Sequence, residues 1–190
     1  MISVGYIRLM TALLVAACLV PGLAQSGALA SRPTIDGGDL ARQIHAYVNE
    51  ERARHGLPAL SWDAKLAHIA RQHSRDMARR DYLAHDSPEG RGFDDRYRQA
   101  GYSCVIRIGT VIHACAENIA LGRLYNSMRT RNGVADYDWN SAEQIARKAV
   151  DGWMGSRGHR KNILTPHWRR EGIGVEVHPD NKVYVTQNFC

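Results

Sequence analysis

The stretch Trp153-Met154-Gly155-Ser156-Arg157-Gly158-His159-Arg160-Lys161-Asn162-Ile163-Leu164 decides how this chain is read. Upstream, Ser141-Ala142-Glu143-Gln144 has the form of a capping box, and Ile145, Ala149, Val150 and Trp153 recur at helical spacing behind it. A helix therefore leads toward His159 and leaves it just past its end. Two other segments match it in character. Tyr82-Leu83-Ala84-His85-Asp86-Ser87 places a second histidine in a turn, and Ala116-Glu117-Asn118-Ile119-Ala120 carries a carboxylate inside a small apolar stretch. Together they form a candidate His85, Glu117, His159 site.

Working outward, Leu66, Ile69, Ala70, His73 and Met77 form an apolar stripe after Ser61 or Asp63, so a helix ending near Asp81 delivers His85. Leu40, Ile44, Tyr47 and Val48 form another, with Asp39 as the expected N-cap and Gly56 and Pro58 as the stop. Phe93 to Ala100 reads as a short helix closed by Gly101. Ile173–Val177 and Val183–Phe189 read as a hairpin, and Tyr102–Ile108 and Glu117–Leu121 as further strands. Helices and strands alternate without a regular βαβ rhythm. The expectation is an α+β protein, a three-layer α-β-α sandwich around a mainly antiparallel sheet.

The 190 residues, 44% of them hydrophobic, suffice for one sizeable core and one domain, expected over residues 36–190. Residues 1–30 read as a secretory signal peptide: Arg8 is their only charge, Leu9–Val20 is apolar, and small residues follow. Cleavage after Ala24 and after Ala30 both satisfy the small-residue rule. A third possibility is a lipoprotein box at Val15-Ala16-Ala17-Cys18, with Cys18 lipid-anchored. The expected location is secreted, extracellular or periplasmic, with no transmembrane span in the mature, monomeric protein.

Without the leader, 24 basic and 19 acidic side chains leave a net charge of +5. The basic residues are spread through helices and are not interleaved with aromatics, which argues against a nucleic-acid partner. Arg157, Arg160, Lys161, Arg169 and Arg170 stand close in sequence to His159, where they would steer an anionic ligand. Cys104, Cys115 and Cys190 allow three pairings in an oxidising compartment. The short segment around Gly109 favours Cys104–Cys115. Cys115–Cys190 would require the last strand to lie beside the Glu117 segment.

The ordered motifs Leu83-Ala84-His85-Asp86-Ser87-Pro88, Ala116-Glu117-Asn118-Ile119, Trp153 to Leu164, Gly172-Ile173-Gly174-Val175 and Thr186-Gln187 resemble the CAP superfamily: cysteine-rich secretory proteins, antigen-five allergens and pathogenesis-related-one proteins. The resemblance spans about Gln43 to Phe189 and is greatest to the bacterial secreted, SCP-like branch. It implies an α-β-α sandwich and a cavity where His85 and His159 bind a divalent metal such as zinc, weakly, with Glu117 beside them. Asn118, Ser156 and Arg160 join the candidate binding set. The sequence departs from the wider pattern at Ser156, where the eukaryotic members carry a second acidic residue.

Three functions are compatible with such a site. The first is a binding module whose cavity takes a lipid, glycan or peptide. The second is a metal-assisted hydrolase with Glu117 as general base; two histidines alone argue against it, since catalytic zinc usually has three protein ligands and no His-Glu-x-x-His helix is present. The third is a cell-envelope interaction protein with a vestigial cavity. The remaining histidines, His45 and His68 among them, read as surface or structural groups, and Trp62, Trp153 and Trp168 as core aromatics.

Overall fold

The computed structural model describes residues 31–190; the leader, its cleavage sites and Cys18 lie outside the described residues. The helices are α1 (Gly37–Arg54), α2 (Ala64–Arg80), α3 (Phe93–Gln99), α4 (Ala142–Gly155) and α5 (Arg157–Ile163). The strands are β1 (Ser61–Trp62), β2 (Ile106–Ile108), β3 (Val111–His113), β4 (Ala116–Arg123), β5 (Tyr125–Arg131), β6 (Val134–Trp139), β7 (Arg170–Val177) and β8 (Lys182–Phe189).

The central sheet has the order β1-β7-β8-β4. β7 and β8 form the expected hairpin, β4 runs antiparallel to β8, and only the short β1 is parallel to its neighbour. Side-chain alternation sorts the two faces. Ile173, Val175, Val183 and Val185 point into the main core with Leu40, Ile44, Ile145, Val150 and Trp153 of α1 and α4. On the opposite face α2 lies so close to β7 that a Cβ at Gly172 would sit 2.0 Å from the Ala67 nitrogen, and one at Gly174 1.9 Å from the Arg71 nitrogen. Ser74 donates to the Gly174 carbonyl at 2.9 Å across that contact. The α-β-α sandwich is therefore present as expected.

The caps show why the helices start where they do. Asp63 accepts from the amides of Lys65 and Leu66, and Ser141 and Gln144 form the reciprocal box read from the sequence. For α1 the cap is Asp36 rather than Asp39; Asp39 sits in the first turn and donates its amide to Asp36 Oδ1 at 2.8 Å. His159 is not in a tail after α4. The chain breaks at Ser156 and restarts as α5, which carries it.

Two hairpins stand outside the sheet. Tyr102–Ile108 is a strand only at its end, where β2 pairs with β3 around Gly109 at φ 58°. β5 and β6 turn at Asn132-Gly133, both with positive φ, the backbone that a two-residue hairpin turn requires.

The cysteine pairing corrects the expectation. Cys104 is bonded to Cys190, with Cα atoms 5.6 Å apart, and Cys115 is free. The register explains the outcome: Ala116 faces Phe189, so the chain end lies beside the start of β4, and Cys190 is held there by backbone bonds to Arg169 and Arg170. The β2–β3 hairpin lies between Cys104 and Cys115 and returns the chain to the same neighbourhood, yet the bond is made to the terminus. Burial pushes the Cys115 thiol pKa up and keeps it in its unreactive form.

β4 is the outer strand of the sheet, and side chains cover three of its outward carbonyls. Asn162 Nδ2 donates to Glu117 at 3.2 Å, Trp153 Nε1 to Ile119 at 3.1 Å and Asn140 Nδ2 to Arg123 at 3.1 Å.

Candidate functional site

The site forms where helices of both layers meet the edge strand. Glu117 lies on the α2 face of β4 with its side chain fully buried. Its Oε1 is 3.0 Å from His85 Nδ1, and its Oε2 accepts from Arg96 at 2.7 Å. His73, from α2, stands 4.0 Å from the same carboxyl group and bonds the Ala84 carbonyl through Nε2 at 3.0 Å.

The loop bearing His85 is pinned at several points. Asp81 ends α2 in the left-handed conformation and receives Tyr184 Oη at 2.7 Å together with Lys182. Tyr82 donates to Asp76 at 2.7 Å, and Arg96 donates to the His85 carbonyl at 2.9 Å. His159 arrives from the other layer on α5. Asn118 holds that helix from inside by donating to the His159 carbonyl at 3.3 Å.

A buried polar chain continues inward from this point. Asn162 donates to Asn118 at 2.8 Å, Asn118 to Gln187 at 3.0 Å, and Gln187 to Glu171 at 2.6 Å. Glu171 is 2.5 Å from His45 Nδ1 on α1, and every member of the chain except His45 and Asn162 is buried. Each carboxylate or amide in the chain has a partner, which is what makes so polar a row tolerable in a core.

The three imidazoles near Glu117 have different electrostatics. The hydrogen bond to Glu117 raises the pKa of His85 against the opposing effect of burial. Burial lowers that of His73, with Glu117 opposing. Burial lowers that of His159, and the charge of His85 lowers it further. The linkage signs are opposite. His85, with its folded pKa above 6.5, contributes stability below that pH that is lost as pH rises through the folded value. His73, with its folded pKa below 6.5, contributes stability above that pH that is lost as acid protonates the unfolded form first. In an NMR titration of the imidazole Cε1–H signals, His85 is expected to titrate above 6.5 and His73 below it; the reverse order would show that Glu117 does not pair with His85.

Of the sequence-derived set, His85 and Glu117 are paired, and His159 lies at the margin of the neighbouring groove. Asn118 is buried and positions α5. Ser156 joins α4 to α5 without a side-chain cap bond. Arg160 is exposed and donates to the Met154 carbonyl at 3.3 Å. Arg96 and His73 were not singled out from sequence. His73 was visible only as one of the stripe residues of α2, and nothing local marks Arg96.

The donor set suits a metal in one arrangement. With Nδ1 turned to Glu117, His85 presents Nε2, the geometry in which a carboxylate behind the ring orients a ligating imidazole. Both Glu117 oxygens are engaged, and among the described residues no three His, Cys, Asp or Glu side chains converge as a ligand cluster.

Beyond His159 a groove of about 270 Å³ runs between β4 and α4. Ala120, Ile145, Trp153, Val183 and Val185 supply its apolar lining, and Arg123 and Lys148 also border it.

The chain matches the profile of the cysteine-rich secretory protein family over residues 45–189, and it belongs to that family, the CAP proteins. It is 32% identical over 148 residues to the Bacillus subtilis "Uncharacterized membrane protein YlbC", covering 78% of this chain and 33% of that one. With B. subtilis YkwD it shares 29% over 133 residues, 70% of this chain and 41% of the relative. The chain thus spans about a third to two fifths of the curated relatives it matches. Among solved structures, an extracellular SCP-domain protein of Bacillus anthracis superposes with a TM-score of 0.60 at 28% identity, over 84% of this chain and 44% of that chain. An outer surface protein of Borrelia burgdorferi superposes with a TM-score of 0.61 at 15% identity, over 84% of this chain and 97% of that chain. The latter likeness is one of fold.

Proposed function

We propose that the protein is an exported binding module for an amphiphilic ligand, whose apolar part lies in the β4–α4 groove and whose polar end meets His85 and His159. The observation that carries this reading is the continuity of the apolar groove with His159 at its margin. A lining of aliphatic side chains and one indole suits a hydrocarbon chain better than a glycan. The disulfide fits an oxidising compartment, and among the described residues no helix is long and apolar enough to cross a membrane.

A divalent ion such as zinc would be held by His85 and His159, where it would supply positive charge for the ligand's polar end. Glu117 holds the His85 tautomer, and Arg96 holds Glu117. The hydrolase alternative needs an oxygen of Glu117 free to take a proton from water, and the occupation of both weighs against it. The vestigial-cavity alternative has no comparable geometric support.

Two measurements test this. In a calorimetric zinc titration, His159→Ala and His85→Ala are each expected to weaken binding at least about tenfold, the range seen when a site's orientation alone is disturbed; equal binding in parent and variants would remove the metal from the proposal. With a fluorescent long-chain fatty acid as probe, Ala120→Phe is expected to fill the groove and abolish binding while zinc still binds. Undiminished fatty-acid binding by that variant would place the ligand elsewhere.

A further inference from the structure

We propose that the outer face of α2, with the groove between it and α3, binds a flexible linear polymer of phosphate groups. Lys65, His68, Gln72, Arg75 and Arg79 follow one another at separations of three, four, three and four residues and are all exposed. That spacing puts them in one straight row, opposite the buried Leu66, Ile69, His73 and Met77. At 1.5 Å per residue the row is about 21 Å long, and Arg71 flanks it.

The row is uncompensated. On three other helices exposed arginines pair with carboxylates of their own helix: Arg54 with Glu50 and Glu51, Arg98 with Asp94 and Asp95, Arg147 with Glu143. Among the described residues, Lys65, Arg71, Arg75 and Arg79 form no ion pair, and Lys65 donates only to the Gly101 carbonyl at 3.0 Å. Asp76, the one carboxylate of α2, is taken by Arg80 at 2.6 Å and Tyr82 at 2.7 Å.

At one flank of the row lies a cavity of about 410 Å³ lined by Lys65, His68, Gln72, Arg96, Gln99 and Ala100, without a carboxylate. Arg96 forms part of its wall. The terminal nitrogens of Arg96 are committed to Glu117, His85 and Arg91, but its Nε–H is buried with no acceptor. A phosphate seated in the cavity would stand beside Lys65, His68 and the Arg96 side chain. Neighbouring phosphates would then follow the row toward Arg75 and Arg79. No Phe, Tyr or Trp lines the cavity or interrupts the row, so the stacking platform that nucleic-acid bases use is reduced to the His68 imidazole. The row likewise carries no apolar side chain to enter a bilayer.

The test is binding of short-chain inorganic polyphosphate to the purified protein. Binding is expected to fall steeply with added salt, because neutralised phosphates release counterions. The double substitution Arg75→Glu with Arg79→Glu, and separately Lys65→Glu, are expected to weaken it at least about tenfold while zinc binding and the unfolding midpoint stay at the parent values. Neither outcome depends on the His85–His159 reading. Absence of polyphosphate binding at low salt, or parent-like binding by the charge-reversed variants, would overturn the proposal. So would tighter binding of single-stranded DNA of equal charge, or of vesicles rich in anionic lipid, since each would require contacts that this face lacks.

Discussion

Gly174→Ala is expected to leave the protein unable to hold its fold. The added Cβ would sit 1.9 Å from the Arg71 nitrogen and 2.3 Å from the Ala70 carbonyl carbon, and both obstructing atoms belong to helix backbone. No side-chain rotation can relieve such a contact. α2 would have to lift from β7 as a body, breaking the Ser74 bond to Gly174 and withdrawing Leu66, Ile69 and Met77 from the sheet. Losses of this origin reach the exceptional end of single-substitution effects, about 4 kcal/mol or more. Chemical denaturation followed by tryptophan fluorescence measures it. Gly122→Ala is the matched control, because its Cβ would meet only Val183 at an ordinary 3.8 Å. A Gly174→Ala protein as stable as that control would show that the helix does not approach so closely.

Cys190→Ser is expected to cost about 4.5 kcal/mol in the chain-entropy picture, because the bond to Cys104 closes a loop across 86 residues of sequence. Cys115→Ser should cost far less. The backbone bonds of Cys190 to Arg169 and Arg170 remain in the serine variant, so the terminal strand keeps its place in the native state and the loss is felt mainly through the unfolded chain. Denaturation midpoints of the two variants, with the parent measured both oxidised and reduced, separate the cases. Equal destabilisation by the two substitutions would mean that Cys115 shares the bond.

The legible parts of the fold were those governed by short-range pattern. The stripe from Leu66 to Met77 behind Asp63 gave α2 nearly to the residue, and Ser141 with Gln144 gave the start of α4. The β7–β8 hairpin was readable because both strands are apolar runs around a polar turn. Asn132-Gly133 was an equally strong turn signal, but its flanking strands, Tyr125–Arg131 and Val134–Trp139, carry too many polar residues to stand out as buried. The cysteine pairing was decided by the register of β4 against β8, which three cysteines and their spacings do not encode. At the site, motif order singled out His85 and Glu117, which the structure pairs, and His159, which it places on α5. Arg96 reaches Glu117 only through the packing of α3, and the partnership of Glu171 with His45 joins residues 126 apart.

The side chains along the outer edge of β4 have a colloidal consequence as well as a structural one. A sheet that ends in bare carbonyls is a template on which a neighbouring molecule's strand can register. Here Asn162, Trp153 and Asn140 occupy three of those acceptors from within the same chain. The tryptophan and asparagine of the segment that decides the fold therefore also end the sheet. They leave that edge of the sheet with fewer open acceptors on which a second molecule's strand could register when the protein is concentrated.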